Sequence, residues 1–194
     1  MRPALARSTL AIALGLALPL ALTACSQGDT GNAGTSQAAA PDAAAVQAET
    51  QRLNAWFDAK YEEALRFSPM QLTFLGRKEL YDQLDDMSEA GLRQRVEWLE
   101  ASVREMESQF DYARLDPEAQ LSWDLWKKQA ERARVELQYL AHDYPFEQMG
   151  GRQSELPTFL IGFHKVDEEQ DYLAYVSRLQ KVGVAFDQLL ERAR

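Results

Sequence analysis

The sequence predicts an all-α protein: an antiparallel array of about five to six helices behind an N-terminal leader and a flexible tether. Three observations predict it. From residue 46 onward, apolar side chains recur every three or four positions. Pairs of a capping residue and a proline, Ser68-Pro69 and Asp116-Pro117, punctuate that pattern where helices would start. No stretch sustains the period-two alternation of a half-buried strand.

The first element is a leader. Arg2 and Arg7 give a short positive segment, and Thr9 to Leu22 is apolar and uncharged. That run falls short of the roughly 20 residues a spanning helix needs, and Pro19 disfavours such a helix. It reads as the apolar region of a cleavable signal peptide, residues 1–24. Leu22-Thr23-Ala24-Cys25 then resembles a bacterial lipobox: a branched apolar residue, two small residues that let the extended chain enter a peptidase, and a cysteine whose thiol takes a diacylglycerol. Cys25 is the lone cysteine, so disulfides are excluded. Two acyl chains give stable anchoring where one does not, so the expected partner of Cys25 is membrane lipid. Ser26 in place of Asp points to the outer membrane, facing the periplasm, in a Gram-negative envelope.

Residues 25–45 form the second element, the lipidated tether. Small, polar and Ala-rich, they hold too little apolar bulk to offset ordering. Removing residues 1–24 takes away Arg2 and Arg7 and leaves 19 basic against 30 acidic side chains, a net charge of −11. Such a surface argues against nucleic acid and against electrostatic attachment to anionic lipid.

Residues 46–194 form the helical domain. A first helix, from about Ala43 to Phe67, carries Leu53, Phe57, Tyr61 and Leu65 on one face, flanked by Trp56 and Ala64. Ser68-Pro69 ends it and starts a short helix with Gln71 completing a capping box; Gly76 is the stop. Asp82 to Met87 is an acidic loop. Ser88 caps a third helix with the seam Leu92, Val96, Leu99, Val103, Met106 and Phe110. Asp116-Pro117 starts a fourth, with Leu121, Leu125, Ala133, Leu137 and Leu140 as its expected inner face and Lys127, Lys128, Glu131, Arg132 and Arg134 outside. His142 to Glu155 is a loop, Leu156 to Phe163 a short apolar piece, and Asp167 caps a last helix with Tyr172, Val176, Leu179, Val182, Phe186 and Leu190 along one side. Short connections imply antiparallel neighbours.

Catalytic patterns are missing from the chain. His142 and His164 lie 22 residues apart, at no ligand spacing, and read as capping or solvated side chains. No Gly-x-Ser-x-Gly elbow occurs, and Gly150-Gly151 lacks the further Gly or Lys of a phosphate loop. Glu62-Glu63, Asp85-Asp86 and Glu168-Glu169 read as solvated charge. Trp123 and Trp126 could stack on a sugar, but a core or groove-lining role is the ordinary reading.

A set of landmarks runs through the body: Ser68-Pro69 with Leu75-Gly76; Asp82, Leu84, Asp85, Asp86 and Ser88; Phe146, Gln148, Gly150, Gly151, Leu156, Pro157, Phe159 and Leu160; Asp171-Tyr172 and Tyr175. In order and spacing these resemble the N-terminal part of the bacterial domain-of-unknown-function family 885, over roughly residues 50–194. The resemblance implies a largely helical protein about three times longer, similar to zinc metallopeptidases of the His-Glu type. Their metal motif, a His-Glu pair followed by Pro-Gly-His, lies downstream of the matched region. It therefore implies no catalytic or metal residue here; zinc is implied for full-length members only, and no cofactor is expected in this chain. It also implies that the loop at Gly150, Gly151 and Pro157 borders a substrate cleft. Against that stands plain connecting geometry, with Gly supplying positive φ and Pro starting a helix.

The last helix reaches Arg194 still well patterned, without Gly, Asn or a tail. With the resemblance, this leads to the expectation of a truncated fragment: the envelope-anchored helical part of a peptidase-like protein, inactive alone, whose partners are a missing C-terminal catalytic half or a peptide substrate. That reading expects an exposed apolar face on the last helix. The alternative is a non-enzymatic binding or structural lipoprotein of the envelope.

Overall fold

A computed structural model describes residues 42–194; the leader, Cys25 and most of the tether lie outside the described residues. Six α-helices and two 3-10 turns follow one another there: α1 (Ala43–Leu65), α2 (Pro69–Phe74), α3 (Glu89–Gln109), a turn at Tyr112–Arg114, α4 (Pro117–Gln138), a turn at Leu140–His142, α5 (Arg152–Gly162) and α6 (Glu169–Arg192). The class is all-α, with no strand among the described residues.

The starts of α3 and α4 are capped by the expected residues. Ser88 accepts a hydrogen bond from Gly91 N at 3.0 Å, and Asp116 from Ala119 N at 2.8 Å. At α2 the expected box with Gln71 is replaced by a distant cap. Asp85 accepts from Met70 N at 2.9 Å and from the Ser68 hydroxyl at 2.6 Å, so the acidic loop itself closes the helix start. Gly76 ends α2 at φ +76°, with Arg77 N bonded to Leu72 O and Gly76 N to Thr73 O, the two bonds of a Schellman stop. The last helix is capped by Glu168 rather than Asp167, reciprocally with Asp171.

Three long helices build the first core. α1 runs antiparallel to α3, as Trp56 Nε1–Glu105 (2.8 Å) and Trp98 Nε1–Glu63 (3.2 Å) show, and α4 runs antiparallel to α3. Leu53, Trp56, Met106, Phe110, Leu115, Ala119 and Trp123 pack together at one end, each fully buried side chain contributing roughly 1.5–3 kcal/mol. Two buried polar side chains of α1 hold the α3–α4 connection: Glu49 accepts from Asp111 N (3.0 Å) and Thr50 from Asp116 N (3.1 Å).

The inner face of α4 differs from the expected one, and α1 departs from it at one residue. On α4, Leu121 and Leu125 are about 60 % exposed (59 % and 61 %), while Ala119, Trp123 and Ala130 face inward. Small Ala side chains let α4 approach closely, and Trp123 fills the gap. On α1 Leu53, Trp56 and Leu65 are buried as expected, and only Tyr61 departs, at 51 % exposure.

A second core lies where α2, the acidic loop, α5 and α6 meet. Met70, Met87, Leu156, Phe159, Leu160, Ala185 and Leu189 form it, with Phe146 stacked on Phe186. α5 begins at Arg152, earlier than the expected apolar piece, and Pro157 sits inside it rather than at its start.

Candidate functional site

The family landmarks, scattered over about a hundred residues of sequence, gather around this second core. At its centre is Arg178, fully buried on α6. Its guanidinium donates to Gln83 O (2.7 Å), the Thr73 hydroxyl (2.8 Å), Pro69 O (3.3 Å) and His164 Nδ1 (2.9 Å). Tyr81 and Phe159 rings lie against it at 4.8 and 5.0 Å. Among the described residues no carboxylate touches the guanidinium, and burial pushes its pKa down to about 10.

His164 Nδ1 accepts a hydrogen bond from the Arg178 guanidinium, so the neutral ring carries its proton on Nε2, which donates a hydrogen bond to Asp171 O at 3.0 Å. The ring stacks on Tyr81, centroids 4.1 Å apart. Burial, with the Arg178 charge beside it, pushes the imidazole pKa down. The buried Asp171 carboxylate accepts from Lys78 Nζ (2.8 Å), Asp167 N (2.9 Å) and Glu168 N (3.1 Å). The Lys78 bond holds this carboxyl below the ordinary range, and Asp171 in turn pushes the ammonium up. Tyr81 closes the set through its hydroxyl, which meets Lys165 N at 2.9 Å. One network thus pins the loop between α2 and α3 to the start of α6.

Beside it opens a pocket of about 240 Å³ between Phe74 and α5, lined by Phe74, Phe159, Phe163, Gly150, Ser154, Glu155 and Thr158. Phe74 meets Phe163 edge to face at 4.5 Å. Gly150 is on the pocket wall. Gly151 is buried, and a Cβ there would overlap Glu147 N, so close approach explains the glycine; neither residue has positive φ. Pro157 is exposed on α5 and outside the lining.

A larger groove, about 1400 Å³, opens where α1, α3 and α4 splay apart beyond the first core. Trp126 lines it, its Nε1 donating to the Ser102 hydroxyl at 3.0 Å; Trp123 is buried in the core. The two tryptophans therefore do not share one exposed platform.

The histidines do not meet. His142 is exposed in the second 3-10 turn, and both nitrogens of His164 are taken by Arg178 and Asp171 O. Among the described residues no group of three or more His, Cys, Asp or Glu stands close enough to hold a metal ion. This donor set does not fit zinc. No helix among the described residues is long and apolar enough to cross a membrane.

Sequence reasoning passed over Arg178, Tyr81 and Lys78. Arg178 sits between Val176 and Leu179 in an apolar seam, and a charge at such a position was the available signal.

No curated protein and no solved structure matches the chain. One family does, described as a bacterial protein of unknown function (DUF885), over residues 69–194, from α2 to the end of α6. That match covers well over half of the chain and contains both the Arg178 network and the pocket at Gly150, and the chain belongs to this family.

Proposed function

We propose that this chain is the lipid-anchored helical region of an envelope protein related to zinc-dependent peptidases, and that it is inactive alone because the metal motif comes from sequence beyond these 194 residues. The observation that carries the reading is the outer face of α6. Tyr172, Leu179 and Leu190 lie along it and are 57 %, 54 % and 47 % exposed. A helix of a soluble domain ordinarily turns charge outward, and apolar side chains recurring on one outer side, here interrupted by Gly183 and by Phe186 turned into the second core, mark a surface meant to be covered. Family membership supports the same reading. The pocket at Gly150 then borders the substrate cleft, and its Phe74, Phe159 and Phe163 rings suit an apolar side chain of a peptide.

The test is to sequence the genomic DNA past codon 194. An in-frame His-Glu pair followed by Pro-Gly-His is the expected result. Unrelated sequence after a stop codon overturns the peptidase reading and leaves a binding or structural lipoprotein. The anchor is tested separately by Cys25→Ser: loss of radiolabelled palmitate and a shift from the membrane to the soluble fraction are expected. An unchanged fractionation would refute anchoring at Cys25.

A further inference from the structure

The groove between α1, α3 and α4 is independent of the pocket at Gly150 and of the α6 stripe. Its walls are apolar and uncovered: Tyr61, Leu125, Val135 and Tyr139 line it at 51 %, 61 %, 45 % and 60 % exposure. Its charge is opposite to that of the body. Residues 42–194 carry 19 basic and 29 acidic side chains, yet the groove is lined by Arg95, Lys128, Arg132 and Arg192 against Glu136 and Asp143. Among the described residues Arg95 has no carboxylate within 4.0 Å and Arg132 reaches Glu136 only at 3.9 Å; Lys128 pairs with Glu131 at 3.0 Å, and Arg192 pairs with Asp143 at 3.3 Å while its buried Nε has no partner.

We propose that this groove docks an acidic amphipathic helix of a partner polypeptide. The first argument is shape. The lining on α4 runs from Leu125 to Leu137, about 18 Å at 1.5 Å per residue. A helix of roughly three turns has that length. The vacancy therefore has the dimensions of a fourth helix against three, while a single alkyl chain is far thinner and leaves the walls apart. The second argument is charge: a helix with apolar residues at i, i+3, i+4 and i+7 seats them on the floor and places flanking carboxylates at the arginines.

Trp98 and Trp126 line the groove and report on it. The full chain carrying Cys25→Ser is titrated with a synthetic 14-residue amphipathic peptide, Leu on one face and Glu flanking it, and with its Lys-flanked counterpart. Saturable quenching by the Glu peptide, at least tenfold tighter than by the Lys peptide, is expected. Arg95→Glu with Arg132→Glu should invert that preference while helicity by circular dichroism is unchanged. Lys128→Glu, at a largely exposed position, serves where the double variant does not fold and should weaken the Glu peptide severalfold. Equal binding of both peptides, or no binding of either, overturns the proposal. Saturation by sodium laurate with no response to peptide also overturns it.

Discussion

Arg178 is the side chain on which the second core depends. Its removal takes the donor from the buried His164 Nδ1 and Thr73 hydroxyl and from the half-buried Gln83 O. Arg178→Met keeps the bulk and loses the donors; a loss of about 3 kcal/mol is expected, seen as a lower urea midpoint at constant slope. Arg132→Met, on the surface, should change stability by no more than about 0.5 kcal/mol. His164 gives the network a pH dependence. Its folded pKa lies below the unfolded value of about 6.5, so on acidification the unfolded chain takes up the proton first. Stability contributed by neutral His164 is thus complete above about pH 6.5 and declines as pH falls from there toward the folded pKa. The urea midpoint should drop as the pH falls below about 6.5, and His164→Gln should flatten that slope. Asp171, held below the carboxylate range, adds a loss at still lower pH. Of this, only the charge of Arg178 within an apolar seam was legible beforehand. Apolar periodicity assigns an arginine to solvent by default, and the atoms that reward burying Arg178 come from positions 69, 73, 83 and 164.

At the scale of elements, local capping chemistry and the inner faces of α1 and α3 were legible, while the phase of α4 was not. Ser88 and Asp116 act within three residues of themselves, so sequence suffices to assign them. Ser68 instead meets Asp85, 17 residues on, which no local pattern carries. The α4 seam had the right period, yet Leu121 and Leu125 face out because close packing favours Ala119 and Ala130. The glycines separate two mechanisms. Gly76→Ala meets open space but must hold φ +76°, costing about 1 kcal/mol. Gly151→Ala has an ordinary φ but pushes its methyl into Glu147 backbone, costing about 1–3 kcal/mol and displacing the pocket wall at Gly150. Thermal melts of the two variants check the order of effects.

For the whole molecule, class, helix order and the exposed apolar side of α6 followed from periodicity, because a 24-residue helix averages over local exceptions. The division into two cores did not follow, since it depends on how α2 and the acidic loop fold back onto α6. The α6 stripe makes a solution prediction. Leu179→Gln with Leu190→Gln should reduce concentration-dependent association and binding of a hydrophobic dye, with little shift of the melting temperature. A large loss of stability would show that the stripe is packed within this chain.

The buried Glu49 and Thr50 fasten the first core to a connection that ends at Asp116, whereas the second core needs Arg178. Synthesis delivers these in sequence. The ribosome completes α4 at Gln138 and then requires 40 more residues to reach Arg178, about 2–8 s at roughly 5–20 residues per second. During that interval the nascent chain has a three-helix bundle able to close, while Met70 and Met87 await the helix that buries them. A holding chaperone that favours short apolar segments has its target in residues 69–87, and a ribosome paused between codons 138 and 178 would lengthen that exposure.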